Sequence, residues 1–424
     1  MYTNIITMSQ KIETEKEVDI TLKSVDDLQS IDLVKSIPSY IKKVDEDGDV
    51  SLYSYISCDE EAPDVLKHAR GLVYYKEKLA FSSFAYSDEY VVGQNDEEIW
   101  KRLEKFSPSD CVVFESHEGF LVRVFYLNEK WYLSTNRKLD ASKSRWSSNV
   151  SYGETFEKSI ESEYARNTQF KNRIDSVSSE ENDTVLTKFL QTLDKNLCYV
   201  FLTLNTEDNR IVCDAPKTPT VYHVGVFKQG SHSVDISVSV DIPYPKQVDV
   251  REKLLEFVSQ MNIHAHQGVI VYQPDGSQFK IYHPNYKFYY DIRGNEASIR
   301  FRYLQLRMNT EQRRALEELY PGSHAVIDAC ENTIYLIARH LKNLYVQRYI
   351  HKQVSTLPSH EFKMISECHK WHRDDRVHNR VSIEKLLDIL NNQPPTILNK
   401  FIRDFTQEED LKKRIETLNT SLAH

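Results

Sequence analysis

Residues 114–125 read F-E-S-H-E-G-F-L-V-R-V-F, from Phe114 to Phe125. Together with Cys111-Val112-Val113, two runs rich in Val and Phe enclose a short polar break at Ser116-His117-Glu118-Gly119. Runs of this length and composition argue for two strands that meet at a turn. That turn holds a hydroxyl, an imidazole and a carboxylate within four residues.

Outward from this segment, G-L-V-Y-Y from Gly71, L-A-F-S-S-F-A-Y from Leu79 and W-Y-L-S-T from Trp131 also predict strands, with Asn128-Glu129-Lys130 as a tight hairpin turn. Upstream, Asp45-Glu46-Asp47-Gly48-Asp49 predicts a solvated turn leading into the strand S-L-Y-S-Y-I-S; its glycine comes too early for a calcium loop. Residues 154–195 have helical spacing, broken by S-V-S-S-E-E-N-D-T, which reads as a surface loop. Strands return at Tyr199–Leu204, at Arg210–Cys213, and at 268–273 and 278–283 around Pro274-Asp275-Gly276-Ser277, so the β-rich part reaches about residue 293. Beyond Ile299 the pattern predicts helices at 325–354, 358–371, 382–392 and 397–418, with Pro394-Pro395 between the last two. The expected organisation is an N-terminal flap and first strand (1–60), a core (61–295) and an all-helical C-terminal domain (296–424).

Composition sets bounds on function. At 424 residues, 40% hydrophobic and 28% charged, the chain reads as an ordinary globular protein of two or three domains. No apolar run approaches the roughly 18 residues of a membrane span, and no secretion signal is evident, so no membrane partner is expected. Six scattered cysteines without a C-x-x-C pair argue for reduced thiols and a cytoplasmic location. A net charge of −9 disfavours non-specific coating of nucleic acid, while a local basic groove stays compatible with it. Neither G-x-x-x-x-G-K-[ST] nor G-x-G-x-x-G occurs, so a phosphate site here must use side chains.

Four places combine glycine, charge and hairpin geometry: His68-Ala69-Arg70-Gly71, Glu115 to Gly119, Thr203 to Val212, and Gln267-Gly268 followed by Phe279-Lys280-Ile281. In this order they resemble the phage T4-type RNA ligase family, within the covalent nucleotidyltransferase superfamily. The resemblance spans roughly residues 40–293. It implies an α+β fold: a nucleotidyltransferase (ATP-grasp-like ligase) core of antiparallel sheets with packed helices, followed by the helical domain. A-R-G-L-V is similar to the family's A-R-G-x-x segment, which gives Arg70 a phosphate-facing role. S-H-E-G is similar to Lys-x-Asp-Gly, which places Ser116 at the nucleophilic lysine, Glu118 at the aspartate and Gly119 at the glycine. L-T-L-N-T-E-D-N-R-I-V resembles the Phe-Glu to Asn-Arg-Ile-Val motif with Asn209 and Arg210 matching and Thr203 at the glutamate. Gln267 stands at the first residue of an expected Glu-Gly, and F-K-I-Y keeps Lys280 of a Lys-x-Lys segment, with Tyr282 at the second lysine. The implied nucleotide-binding set is Arg70, Gly71, His117, Glu118, Gly119, Arg210 and Lys280, with ATP and Mg²⁺ as cofactors.

The departures bear on chemistry. In the family a lysine amine attacks the α-phosphate of ATP and the adenylate passes to an RNA 5′-phosphate. A serine adduct would be a stable phosphodiester that traps the nucleotide. Thr203 and Gln267 remove two carboxylates that would hold a divalent cation, and Tyr282 removes a phosphate-facing cation. Four changes together read as a pseudo-ligase that binds nucleotide or RNA ends with adenylyl transfer impaired or absent. Two alternatives stand beside it: an active ATP-dependent RNA ligase with Lys138 or Lys143 as relocated nucleophile, and a structural or interaction protein using the fold as a scaffold, for which a large DNA virus, and so host cytoplasm or virion, is one expected source.

Arg137, Lys138, Lys143 and Arg145 lie beside Trp131, Tyr132 and Trp146, the mixture a single-stranded RNA groove needs, although such rings equally serve a core. Helical spacing would put Lys342, Tyr345, Tyr349 and Lys352 on one face, an RNA-binding or protein-binding surface or the exposed side of a bundle helix. Cys368, His369, His372 and His378 form a Cys/His cluster too sparse to predict zinc, and no metal site is expected. His117 reads either as a phosphate contact or as a solvent-facing loop residue.

Overall fold

The computed structural model describes residues 23–106, 110–178, 183–249, 253–354 and 356–407. The expectations made for the start of the N-terminal flap, for part of the 176–184 loop and for a helix beyond 407 fall outside these residues. The chain divides into two units, Met1–His283 and Pro284–His424.

In the first unit a short helix α1 (Ile31–Lys35) precedes β1 (Ile41–Asp47) and β2 (Val50–Tyr55), and α2 (Asp64–His68) leads into β3 (Leu72–Tyr75) and β4 (Lys78–Phe81). These strands form an antiparallel meander, β1-β2-β3-β4. The acidic 45–49 segment is its first hairpin, with Gly48 at φ +57°. Next come β5 (Asp88–Val91), α3 (Asp96–Glu104), β6 (Val112–Ser116), β7 (Gly119–Leu127) and β8 (Lys130–Ser134). Asn128 and Glu129 both have positive φ, as the right-handed twist of a two-residue hairpin requires. Helices α4 (Tyr152–Arg166), α5 (Thr168–Asp175) and α6 (Val185–Gln191) follow, the first opened by a capping box between Ser151 and Glu154. The unit closes with β9 (Leu197–Leu204), β10 (Val221–Lys228), β11 (Val234–Asp235), α7 (Leu254–Ser259), β12 (Gly268–Tyr272) and β13 (Gln278–Tyr282).

These strands make two further sheets, β11-β10-β9-β7-β8 and β5-β13-β12-β6. Helices α4 to α6 cover one face of the larger sheet, where Phe156, Ile160, Phe170 and Phe189 meet Val122, Val124 and Phe201. Helices α3 and α7 cover one face of the smaller, where Ile99, Leu254 and Val258 meet Val269, Val271 and Phe279. The remaining faces look toward each other across Phe114, Tyr272, Phe125, Val200 and Phe227. The result is an α+β arrangement of antiparallel sheets with packed helices, modified by one parallel pair, β5 with β13.

Three local expectations need correction. Arg210–Cys213 is not a strand: after a 3-10 turn at Glu207–Asn209 its backbone is held by a side chain, as described below. Residues 284–293 are helical rather than the end of the β-rich part, since Pro284 at the start of the segment supplies the fixed φ that a first helical turn accepts. Strand β10 was not foreseen, and its Gly225 lies at a bulge against β9.

The second unit holds α8 (Pro284–Arg293), α9 (Ile299–Leu306), α10 (Thr310–Leu319), α11 (His324–Tyr345), α12 (Ser359–Asp374), α13 (Ile383–Asn391) and a helix over 395–407. Its core gathers Ile334, Ile337, Leu341, Met364, Ile365, Leu386 and Leu390. The helix containing Lys342 does not continue to Val354. It passes into a π-helical turn, Val346–Ile350, and Lys352 lies beyond it at φ +57°.

Candidate nucleotide cleft

A cleft of about 740 Å³ opens between the five-stranded sheet and the sheet β5-β13-β12-β6 of the first unit. Its walls carry Arg70, Arg137, Lys138, Lys143, Arg145 and Lys280, two carboxylates, Glu89 and Glu115, and a set of rings that includes Phe84, Phe114, Phe120, Tyr152 and Tyr244. Phe120 and Tyr152 stack with centroids 3.9 Å apart at 9°, a flat aromatic surface beside the cations.

The turn that ends β6 places Ser116 on this cleft. Ser116 is buried, and its hydroxyl donates to Gln267 Oε1 at 3.1 Å while the Gln267 amide nitrogen donates to the Ser116 carbonyl at 2.8 Å. The two positions that correspond to lysine and glutamate in the resemblance are therefore one neutral, hydrogen-bonded pair. Thr203 is fully buried below the cleft, and its hydroxyl has no partner among the described residues. Gly119 is required at its place: a Cβ there would stand 2.3 Å from the Thr203 carbonyl oxygen.

Lys280 lies on β13, which pairs with β5 so that Lys280 faces Glu89. Its ammonium is 3.7 Å from Glu89 Oε1 and donates to the Tyr282 hydroxyl at 3.2 Å, which in turn donates to Glu89 Oε1 at 2.8 Å. Burial holds the Lys280 pKa below the ordinary lysine value, and Glu89 opposes that shift. Arg70 also lines the cleft, with Nη1 donating to the Ala85 carbonyl at 3.4 Å. Among the described residues no carboxylate lies within ion-pair distance of Arg70, Arg137 or Arg145, so these three guanidinium groups present charge to the opening.

Arg123 organises this wall and was not picked out from sequence. It is fully buried, donating to the Gly71 carbonyl, to Ser134 Oγ at 3.2 Å and to the Thr135 carbonyl at 2.9 Å. It thereby ties the Arg70-Gly71 turn to the turn that carries Arg137 and Lys138. Burial pushes its pKa down to about 10. Gly71 sits at φ +64°, where a Cβ would meet Asn136 Oδ1 at 2.8 Å. The signal available in the sequence was an arginine on the inward-facing alternation of F-L-V-R-V-F.

Other expected site residues are placed differently. Glu118 does not line the cleft: its carboxylate accepts the backbone amides of Ile211 (3.0 Å) and Val212 (2.6 Å), which is why that segment is not a strand. Arg210 and Gly71 do not line it either, and Arg210 faces Glu207 (3.4 Å) and Asp214 (3.5 Å). His117 is no solvent-facing loop residue. Its ring stacks on Tyr222 at 5.0 Å and lies 4.7 Å from His266. Burial, and then His266, push its pKa down to about 4, and burial also lowers that of His266. The Glu115, His117 and His266 ligand atoms lie within 4.8 Å of one another, a cluster that the sequence reading missed. Contact between residues 115–117 and 266 depends on strand pairing that no local motif reveals.

Of the proposed groove aromatics, Tyr132 packs in the core on Phe125 (5.3 Å) and Trp131 on Tyr126 (5.3 Å), while the neighbouring cations Arg137, Lys138, Lys143 and Arg145 belong to the cleft wall. In the helical unit Lys342, Tyr345, Tyr349 and Lys352 do not form one exposed face. The π turn changes the register, and Tyr345 and Tyr349 pack against His369, the latter stacked at 3.9 Å. Cys368 is buried there with its thiol pushed up to about 11, and His372 and His378 engage the Asn379 carbonyl and Asp375 instead of converging on it.

No family model matches the sequence. The chain is similar to viral proteins: it is 27% identical over 372 residues to the "Immediate-early protein ICP-46 homolog" of Invertebrate iridescent virus 6, covering 82% of this chain and 79% of that protein. It is 28% identical over 311 residues to the protein of the same description from Invertebrate iridescent virus 3, covering 71% of this chain and 64% of that one. Among solved structures, a putative ATP-dependent DNA ligase from Aquifex aeolicus aligns at 12% identity and TM-score 0.39 over 71% of this chain and 79% of the other. An archaeal ATP-dependent RNA ligase aligns at 12% identity and TM-score 0.38, over 70% and 73%.

Proposed function

We propose that the cleft binds a nucleotide or the phosphorylated end of an RNA without forming a covalent nucleotidyl intermediate. The observation that carries this reading is the contrast inside one cavity. Six cations and stacked rings line walls large enough for a nucleotide, while Ser116 and Gln267 are neutral and hydrogen-bonded to each other. Cations meet phosphate oxygens and rings meet a base, so the walls fit an anionic aromatic ligand. A hydroxyl whose proton points to an amide oxygen has no general base to take it, and so stays a weak nucleophile.

Mg²⁺ at the positions implied by the resemblance does not fit. Thr203 and Gln267 offer no carboxylate, and Glu89 is committed to Lys280 and Tyr282. Hard divalent ions of that kind need charged oxygen ligands.

A second reading, an active ligase with a relocated nucleophile, is supported by Lys138 and Lys143, which both line the cleft; Lys138 Nζ is 3.8 Å from Asp45. One experiment separates the readings. Incubation with α-labelled ATP and a divalent metal, followed by denaturing electrophoresis, yields no labelled protein on the binding reading. A label lost in Lys138→Ala or Lys143→Ala establishes the ligase reading instead. Equilibrium binding of ATP and of 5′-phosphorylated RNA, weakened by Arg70→Ala, is expected; absence of both would leave the fold as a scaffold, in keeping with a viral interaction protein.

A further inference from the structure

We propose that Glu115, His117 and His266 bind a divalent transition-metal ion of the zinc type at the rim of the cleft. Each contributes one ligand atom, and these atoms lie within 4.8 Å of one another. His266 Nε2 stands 3.8 Å from Glu115 Oε2, and the two imidazole centroids are 4.7 Å apart. Small rotations about the side-chain torsions bring such a set to the roughly 2 Å metal–ligand distances of a tetrahedral site.

The donor chemistry selects the ion. Two imidazoles and one carboxylate suit zinc, cobalt or another first-row ion, whereas magnesium prefers oxygen ligands alone. Three protein ligands also leave a fourth position for water or a ligand oxygen.

The backbone fixes the set before any ion arrives. Glu115 lies near the end of β6 and His117 directly follows that strand, so the two donors are brought to the same strand end. The Glu115 amide donates to the Lys246 carbonyl at 2.9 Å, and the Gln267 amide, next to His266, donates to the Ser116 carbonyl at 2.8 Å. The stack on Tyr222 holds the His117 ring. His266 Nδ1 is buried without a hydrogen-bond partner among the described residues, so no second protein group ties that ring down. Lys246 competes for Glu115, with its Nζ 3.2 Å from Glu115 Oε1. It takes the oxygen other than the one facing His266, and its side chain is 75% exposed, free to swing into solvent.

The test uses untagged, metal-stripped full-length protein with metal alone, so its outcome is independent of the nucleotide reading. Titration with Zn²⁺ by calorimetry and with Co²⁺ by visible absorption should each saturate at one equivalent, the cobalt form showing the intense bands of a four-coordinate site. Losing even an outer partner of a metal ligand costs about 10–100-fold in affinity, so His117→Ala and His266→Ala should each weaken binding at least about tenfold. Glu115→Gln, nearly isosteric, should weaken it too, and His372→Ala should not. Zn²⁺ at a concentration that saturates the wild type should raise the melting temperature of the wild type and of His372→Ala by more than that of the three ligand variants, while the metal-free wild type and Glu115→Gln melt alike, which separates ligand loss from misfolding. The proposal is overturned if the wild type takes up no stoichiometric Zn²⁺ or Co²⁺, or if both histidine variants bind as the wild type does.

Discussion

Two clusters in one sheet treat their polar groups in opposite ways, one fully neutral and buried, the other charged and half-buried. Gly268 on β12 pairs with Ser116 on one side and with Tyr282 on the other, so the clusters lie level with each other across a single strand. On the β6 side, Ser116 and Gln267 form a neutral hydrogen bond. On the β13 side, Lys280, Tyr282 and Glu89 keep a charge inside a hydrogen-bonded ion pair. A neutral pair is cheap to bury, whereas a buried ammonium persists only with a partner. The difference teaches that positive charge in this cleft is held on the walls, where a ligand anion could use it, and is missing from the Ser116–Gln267 pair, where covalent attack would have to start.

The severest way to break the comparison is to charge the neutral side. Ser116→Lys would place an ammonium beside an amide that is itself only 8% exposed. An uncompensated buried charge of this kind should cost about 3–5 kcal/mol, read from urea denaturation. Adding Gln267→Glu should recover a large part of that loss by supplying a counter-charge. If Ser116→Lys alone is as stable as the wild type, the neutrality of this strand end is not a constraint of the fold.

Acid tests the neutral interior without any mutation, through His223. It is fully buried on β10, and burial pushes its pKa down to about 4 against a smaller opposing contribution from the Gly225 backbone. The unfolded value is near 6.5, so above that pH both states are neutral and His223 contributes nothing. As pH falls from 6.5 to 4 the unfolded chain takes up a proton that the folded chain refuses, and stability is lost, by on the order of 3 kcal/mol at pH 4. His223→Phe should remove that part of the acid destabilisation, seen as a smaller difference between urea curves at pH 7 and pH 4. An unchanged difference would assign the acid sensitivity to other groups, such as His232, which burial also lowers to about 4.

The charged side is tested by binding. A hydrogen bond to a charged group contributes about 1.5–3 kcal/mol, so Arg70→Ala and Lys280→Ala should each weaken ATP binding roughly 10–100-fold in a fluorescence or calorimetric titration. Ser116→Ala should leave the affinity near that of the wild type. Equal losses in all three would mean that the two clusters do not divide the work.

Much of the architecture was legible in the chain. Strands β6 to β8 and their hairpin at Asn128-Glu129 follow from alternation and turn chemistry, which are local properties. The cations Arg70, Arg137, Lys138, Lys143, Arg145 and Lys280 were named from short motifs, and the fold gathers them on one cleft. What was not legible depended on pairing between distant segments. His266 meets Glu115 and His117 only through the β6–β12 ladder, and Arg123 gains its carbonyl partners only when β7 brings it under the Gly71 turn. The helical face with Lys342 and Lys352 failed for another reason: ideal 3.6-residue spacing does not foresee a π turn stabilised by packing on a neighbouring helix.

Glu118 offers the finest test, because it is a carboxylate next to the cleft that has been given to architecture. Both its oxygens accept backbone amides, from Ile211 and Val212, and it is only 4% exposed. Glu118→Gln keeps the shape but can accept only one of these amides, leaving an N–H facing an NH₂ group. The expected cost is roughly 1–2 kcal/mol, measurable as a lower urea midpoint. Nucleotide affinity should stay near the wild-type value, since the side chain faces the 210–213 segment and not the opening. A variant that is fully stable yet binds nucleotide poorly would move Glu118 from the supporting layer to the ligand. The division between neutral floor and charged walls would then need a carboxylate added to it.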